Sequence, residues 1–236
     1  MSNRERLKGM ADEIVTTGAS PQILLQPIAA PSILGLYGFA GATFIVAAHM
    51  AGWFGGAHAD LYLFPFAALF GGLAQFLAGM WSYHARDGLA TAMHGMWGSF
   101  WMAYGVLNLL FATHILAEPA GAFVAFGFWF IPLAAITFAG TWAAAAESRA
   151  LSSVLAFLAF GSTLAAIGMI GGFGDLVMAA GWLFIFSSIC AYYTATALML
   201  RGTTGRIVLP LGRTEKARLT PAVAPGIGEP GVIHGQ

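Results

Sequence analysis

The sequence predicts an all-α integral membrane protein with six transmembrane helices per protomer and both termini on the cytoplasmic side. Three observations carry that expectation. Apolar residues make up 58% of the 236-residue chain and charged residues only 8%, against roughly 25% charged residues in soluble domains. The apolar residues fall into six runs, near 31–53, 61–83, 91–114, 120–146, 150–171 and 176–200, each matching the ~20 residues that a bilayer-spanning helix needs. All ten Lys and Arg residues then lie on one side of that layout: Arg4, Arg6 and Lys8 before the first run, Arg86 in the second connection, Arg149 in the fourth, and Arg201, Arg206, Arg213, Lys216 and Arg218 after the sixth. Basic residues concentrate in cytoplasmic loops, so the even connections and both ends are assigned there. The odd connections carry no base and one carboxylate each, Asp60, Glu118 and Asp175.

Residues 1–30 read as a cytoplasmic leader, mixed in charge and without the apolar core or small-residue cleavage site of a signal peptide. The transmembrane domain covers 31–200. Pro31 suits the first turn of the opening helix, where a missing N–H costs nothing. Gly35, Gly38 and Gly41 follow at intervals of three, leaving a bare flank for another backbone. Gln75, in the second run, has an amide that the helix backbone does not satisfy, so it must face another helix, a cavity or water. In the third run His94, Trp97, Trp101, Tyr104 and Asn108 alternate spacings of three and four and form one polar-aromatic stripe. Gly95, Gly98, Met102 and Gly105 form a second flank, mostly small, suited to close helix contact.

The later runs carry hydroxyls at depth: Thr137 and Thr141, then Ser162 and Thr163, then Ser187, Ser188, Tyr192 and Thr194. Ser and Thr in membrane helices ordinarily bond back to their own backbone carbonyls. Asp175 is expected to cap the sixth helix. Residues 201–236 form a basic tail that anchors to anionic lipid headgroups, with a disordered end rich in Gly and Pro.

The six runs contain no Lys, Arg, Asp or Glu away from their ends, which argues against a pump built on intramembrane carboxylates. Whatever crosses is handled by uncharged groups. Walker loops, dinucleotide fingerprints and nucleophile elbows are absent from the sequence, so neither an enzyme nor a cofactor is expected. Cys190 is the single cysteine, and no histidine pair has a ligand spacing, so no metal is expected. Ten bases balance ten acids, which points to no nucleic-acid partner. The histidines read as interfacial residues with wet rings, with pH sensing at His49 and His58 as the alternative.

Several blocks together resemble the acetate and succinate transporters of the AceTr, or GPR1/FUN34/YaaH, family. Pro31, Leu34, Gly35 and Leu36 match an Asn-Pro-Ala-Pro-Leu-Gly-Leu signature, and Tyr37-Gly38-Phe39 follow it. Gly71 to Gly79, Gly98-Ser99-Phe100-Trp101, Ala139-Gly140-Thr141, Ala180-Gly181-Trp182 and Thr204 to Gly212 resemble later blocks in the family's order. The resemblance implies a homo-hexamer in a bacterial inner membrane, with a substrate path inside each protomer for acetate or a similar small carboxylate, sometimes succinate. It places Phe39, Trp97 and Leu158 at a hydrophobic constriction in mid-membrane. Tyr37, Thr43, Gln75, His94, Trp101, Tyr104, Asn108 and Thr141 are the candidate polar groups along the path. Ala30, Ser32 and Ile33 depart from the signature, which bears on substrate identity more than on fold.

Small carboxylic acids titrate near 4 to 5, roughly as side-chain carboxyls do, so at neutral pH the substrate is an anion. It passes either as an anion through a channel or together with a proton. Two other readings stand beside this one: a channel for small neutral solutes such as urea, amides or ammonia, and a membrane scaffold or sensor whose polar stripe only packs helices.

Overall fold

The computed structural model describes residues 28–56, 59–117 and 124–214. Most of the leader, His58, Glu118, Lys216 and Arg218 lie outside these residues. The elements in chain order are α1 (Ser32–Met50), α2 (Ala59–Phe66), a π-helical segment π1 (Ala67–Ala74), α3 (Gln75–His84), α4 (Gly88–Ala112), α5 (Val124–Ala145), α6 (Arg149–Gly171) and α7 (Gly174–Thr204). The bent helix built from α2, π1 and α3 is the second apolar run of the sequence. Pro65 sits inside α2, where a missing N–H and the proline ring disturb the preceding turn. The eight π-helical residues that follow at once are a long example of a motif usually confined to single turns.

Five stretches are long and apolar enough to cross a membrane: Ser32–Met50, Tyr62–His84, Val124–Ala145, Arg149–Gly171 and Gly174–Thr204. Helix α4 is long enough at 25 residues, since each residue adds ~1.5 Å, yet it is not among the five. Its His94, Trp97, Trp101, Tyr104 and Asn108 are all buried. A helix that keeps its polar face inside the bundle does not need to be apolar all round.

Local signals explain most of the ends. Asp87 precedes α4 and accepts a hydrogen bond from the Ala90 N–H at 2.8 Å, and Ser148 does the same for α6 through Leu151 N–H at 3.3 Å. Asp175 does not cap α7: Phe173 holds that position, and Asp175 lies within the first turn, where its charge complements the positive end of the helix. Helix α7 runs to Thr204 and is stopped by Gly205 at φ +69°, so Arg201 belongs to the helix and not to the tail.

The helices neighbour one another in a ring: α5 against α6, α6 against α7, α7 against α1, α1 against π1, and π1 and α3 against α4, with a lighter contact closing α4 onto α5. The glycine flank of α4 lies against the bent helix. A Cβ on Gly98 would stand 2.6 Å from the Phe76 nitrogen, a distance only a bare backbone permits. On α1, a Cβ on Gly38 would strike the Phe70 carbonyl of π1. After α7 the chain turns back and pairs with the α5–α6 turn, where an isolated antiparallel bridge joins Ser148 and Arg213.

Candidate functional site

Among the described residues, two cavities lie within the ring of helices. The larger, of about 790 Å³, reaches the end of the bundle where the basic residues gather, and its wall includes Leu36 and Phe39 of α1, Gln75 of α3, His94 and Trp97 of α4, Leu155 and Leu158 of α6 and Thr194 of α7. The smaller, of about 30 Å³, lies on the other side of Trp97 and is walled by Thr43, Trp97, Phe100, Trp101, Tyr104, Phe126, Phe130, Leu158 and Phe184, with Val46, Ala47 and Met50. That volume is roughly the share of one water molecule in the liquid. Trp97 and Leu158 line both cavities. Phe39 lines the larger one and meets Trp97 edge to face, with ring centroids 6.5 Å apart at 71°.

Trp97 is fixed by a relay of hydrogen bonds. Its indole N–H donates to Thr137 Oγ1 at 3.0 Å, and the Thr137 hydroxyl donates to the Leu133 carbonyl at 2.6 Å. The hydroxyl therefore spends its proton on its own helix and turns a lone pair toward the indole. Phe100 meets Trp97 edge to face at 5.3 Å and continues into a cluster with Trp101, Phe126 and Phe130.

Buried polar atoms flank this aromatic neck without hydrogen-bond partners among the described residues. Gln75 Oε1 and His94 Nδ1 lie on the wall of the larger cavity, and Thr43 Oγ1 and Trp101 Nε1 on that of the smaller. Buried polar groups are nearly always satisfied, so four such atoms beside two cavities mark places for a polar guest or for water.

Residues 15–213 match the model of the GPR1/FUN34/yaaH family. The chain belongs to this family. A curated relative, the succinate-acetate/proton symporter SatP of Escherichia coli K12, is 30% identical over 190 residues, covering 80% of this chain and 97% of that protein. A protein of Methanothermobacter thermautotrophicus without an assigned role is 28% identical over 197 residues, covering 80% of this chain and 93% of its own. Among solved structures, that of the bacterial acetate channel SatP superposes with a TM-score of 0.72 at 27% identity, over 79% of this chain and all of that one.

Within this family member, the residues singled out in the sequence divide. Thr43, Gln75, His94, Trp101 and Tyr104 line one cavity or the other, together with Phe39, Trp97 and Leu158. Tyr37, Thr141 and Asn108 do not. Tyr37 bonds Thr196 Oγ1 at 2.9 Å and meets the Tyr192 ring edge to face at 5.3 Å, so it serves the α1–α7 seam. Two residues along a helix are separated by about 200°, which puts Tyr37 nearly opposite Phe39. Thr141 donates to the Thr137 carbonyl at 2.8 Å, and Asn108 Nδ2 donates to the Tyr104 carbonyl at 2.9 Å; both satisfy backbone one turn away.

The signature residues acquire separate roles. Pro31 stands just before α1, Leu34 is exposed on its outer side, and Leu36 lines the larger cavity. Gly35 faces His94: a Cβ there would come within 2.5 Å of the imidazole. Met93, Val154 and Leu155, not singled out in the sequence, also line the larger cavity. Leu151, Val154, Leu155 and Leu158 do follow the three-four spacing of one helix face, a signal present in the sequence.

Thr137→Val is expected to cost roughly 1–2 kcal/mol by stranding the Trp97 N–H. A lowered thermal midpoint together with altered solute flux checks it; a flux that stays unchanged would show that the relay does not hold the neck.

Proposed function

We propose that this protein carries small carboxylates, the monocarboxylate acetate foremost and the dicarboxylate succinate as a further candidate, across a bacterial inner membrane. The observation that carries the reading is the pair of cavities divided at Trp97 and Leu158, with Phe39 packed against the division. The relatives named for succinate and acetate support the substrate class. In this reading α1, the bent helix, α4, α5, α6 and α7 are six spans, and the positive-inside asymmetry puts both termini in the cytoplasm. The larger cavity is then the cytoplasmic vestibule.

An ionised carboxylate loses its hydration in an apolar neck, and apolar constrictions close to water and ions by dewetting. Phe39, Trp97 and Leu158 make that barrier. Gln75 and His94 on the inner side and Thr43 and Trp101 on the outer side offer uncharged polar groups where the carboxylate waits before and after the crossing. The exposed apolar side chains of Leu69, Phe70, Leu73 and Leu77 along the bent helix suit lipid or a neighbouring copy in a homo-hexamer.

A competition series in proteoliposomes tests the reading. Labelled acetate is expected to enter, with formate, propionate, lactate and succinate competing and urea not competing. If acetate does not enter above protein-free vesicles while labelled urea does, the neutral-solute reading replaces this one.

A further inference from the structure

Apart from the neck, the described residues gather four charged side chains at the mouth of the larger cavity. Asp87 comes from the turn before α4, Glu147 from the α5–α6 turn, Arg201 from the last turns of α7 and Arg213 from the segment after it. The sequence assigned that last segment to lipid anchoring. The structure also clasps its first residues against the helix bundle. Tyr193 donates to the Pro210 carbonyl at 2.8 Å, while Arg149 and Ala150 N–H donate to the Gly212 and Leu211 carbonyls, each at 3.1 Å. Thr214 closes the clasp through its N–H to the Glu147 carbonyl at 3.1 Å and its hydroxyl to the Ala146 carbonyl at 2.6 Å. Gly212, at φ +62°, makes the turn that a side chain would strain. Residues far apart in sequence are thus fixed next to each other, and Arg213 and Glu147 share the cavity wall.

We propose that Glu147 and Arg213 form a proton-linked carboxylate site at this mouth, in which an incoming carboxylate pairs with Arg213 while the neighbouring Glu147 takes up a proton from solvent. The proposal rests on the transport reading and adds to it the place where proton and anion meet.

One guanidinium presents a planar fork that fits one carboxylate at a time. Two ionised carboxylates beside the same Arg213 repel each other, and Asp87 adds a third negative charge from the α4 side. Binding of the anion therefore favours the neutral form of Glu147. Anion and proton arrive together, so the occupied mouth carries the same net charge as the empty one. By linkage, protonation of Glu147 strengthens anion binding by the same factor that the anion strengthens protonation.

The groups facing Glu147 set the direction. Partial burial comes first, then the Asp87 charge; both push its carboxyl above the ordinary range, against the pull of Arg213. Arg213 is itself lowered by burial and then by Arg201, against the pull of Glu147. Arg149 lies at the head of α6 beside Gly212, and His94 lies deeper on the cavity wall. Glu147 thus accepts a proton at a higher pH than a glutamate without these neighbours does.

Calorimetric titration of acetate into the detergent-solubilised full chain, in two buffers of different ionisation heat, counts the protons taken up. The unaltered protein is expected to take up protons with acetate and to bind it more weakly as pH rises. Glu147→Gln is expected to bind acetate without proton uptake and with an affinity flat in pH. Arg213→Gln is expected to weaken binding roughly tenfold, the loss of a charge-assisted pair, and Arg213→Lys to recover part of it. Thr214→Val loosens the clasp without changing either charge. If Thr214→Val loses as much affinity as Arg213→Gln, or if Glu147→Gln still takes up protons, the proposal is overturned. Acetate bound by the unaltered protein without proton uptake overturns this site alone; no acetate binding at all overturns the transport reading with it.

Discussion

Phe39→Ala is expected to raise acetate flux roughly tenfold, equivalent to ~1.4 kcal/mol off the barrier, and to weaken discrimination against longer carboxylates. The ring is almost wholly buried, packs edge to face on Trp97 and lines the larger cavity directly below the division. Removing it joins new space to a cavity that already reaches the end of the bundle. A wider, wettable neck no longer strips the carboxylate of its hydration. The same substitution is expected to cost about 3 kcal/mol of stability, the lower end for deletion of a buried Phe, because part of its surroundings is already empty. Initial uptake rates in proteoliposomes, set against protein-free vesicles, measure the flux. A rate that falls in step with the amount of folded protein would assign Phe39 to packing alone and favour the scaffold reading. Phe39→Leu separates the two effects, since it keeps an apolar plug of intermediate size.

Gly79→Val is expected to prevent stable folding, with a loss of at least ~3 kcal/mol, whereas Gly95→Ala in the same seam is expected to be tolerated. A Cβ on Gly79 would meet the Gly95 nitrogen at 2.7 Å, its Cα at 3.0 Å and the His94 carbonyl carbon at 3.2 Å. All three are backbone atoms of α4, so no side chain can rotate away. A Cβ on Gly95 meets nothing within 4 Å. Two glycines in contact across one helix pair thus differ in what they tolerate, since the open side of Gly95 points away from α3. In lipid, where close van der Waals packing drives helix association, separating α3 from α4 also displaces Gln75 and His94 from the larger cavity. Thermal melting of the purified proteins checks the pair; equal midpoints would refute the argument from backbone contact.

The stripe on α4 shows how far a pattern reaches. Spacings of three and four placed His94, Trp97, Trp101, Tyr104 and Asn108 on one face, and all five are buried. Periodicity does not say what that face looks onto. His94 turns to the larger cavity, Trp101 and Tyr104 to the smaller, Trp97 to both, and Asn108 to its own backbone. Gln75 was readable in the same partial way: its amide demanded a neighbour, and the fold answered with a cavity wall. Tyr37, two residues before Phe39, meets Thr196 and Tyr192 on the α1–α7 seam, a neighbourhood that a signature motif by itself does not show.

By itself the sequence determined the membrane class, the order of the helical runs, the one-sided charge map and the resemblance to the family, because hydropathy, charge and local motifs are properties of contiguous residues. The tertiary structure alone decided which faces enclose space, that Trp97 and Leu158 touch both cavities, and that the segment after α7 folds back to set Arg213 beside Glu147. Those facts depend on contacts between residues far apart in the chain. No window of sequence contains them, since each exists only once the ring of helices has closed.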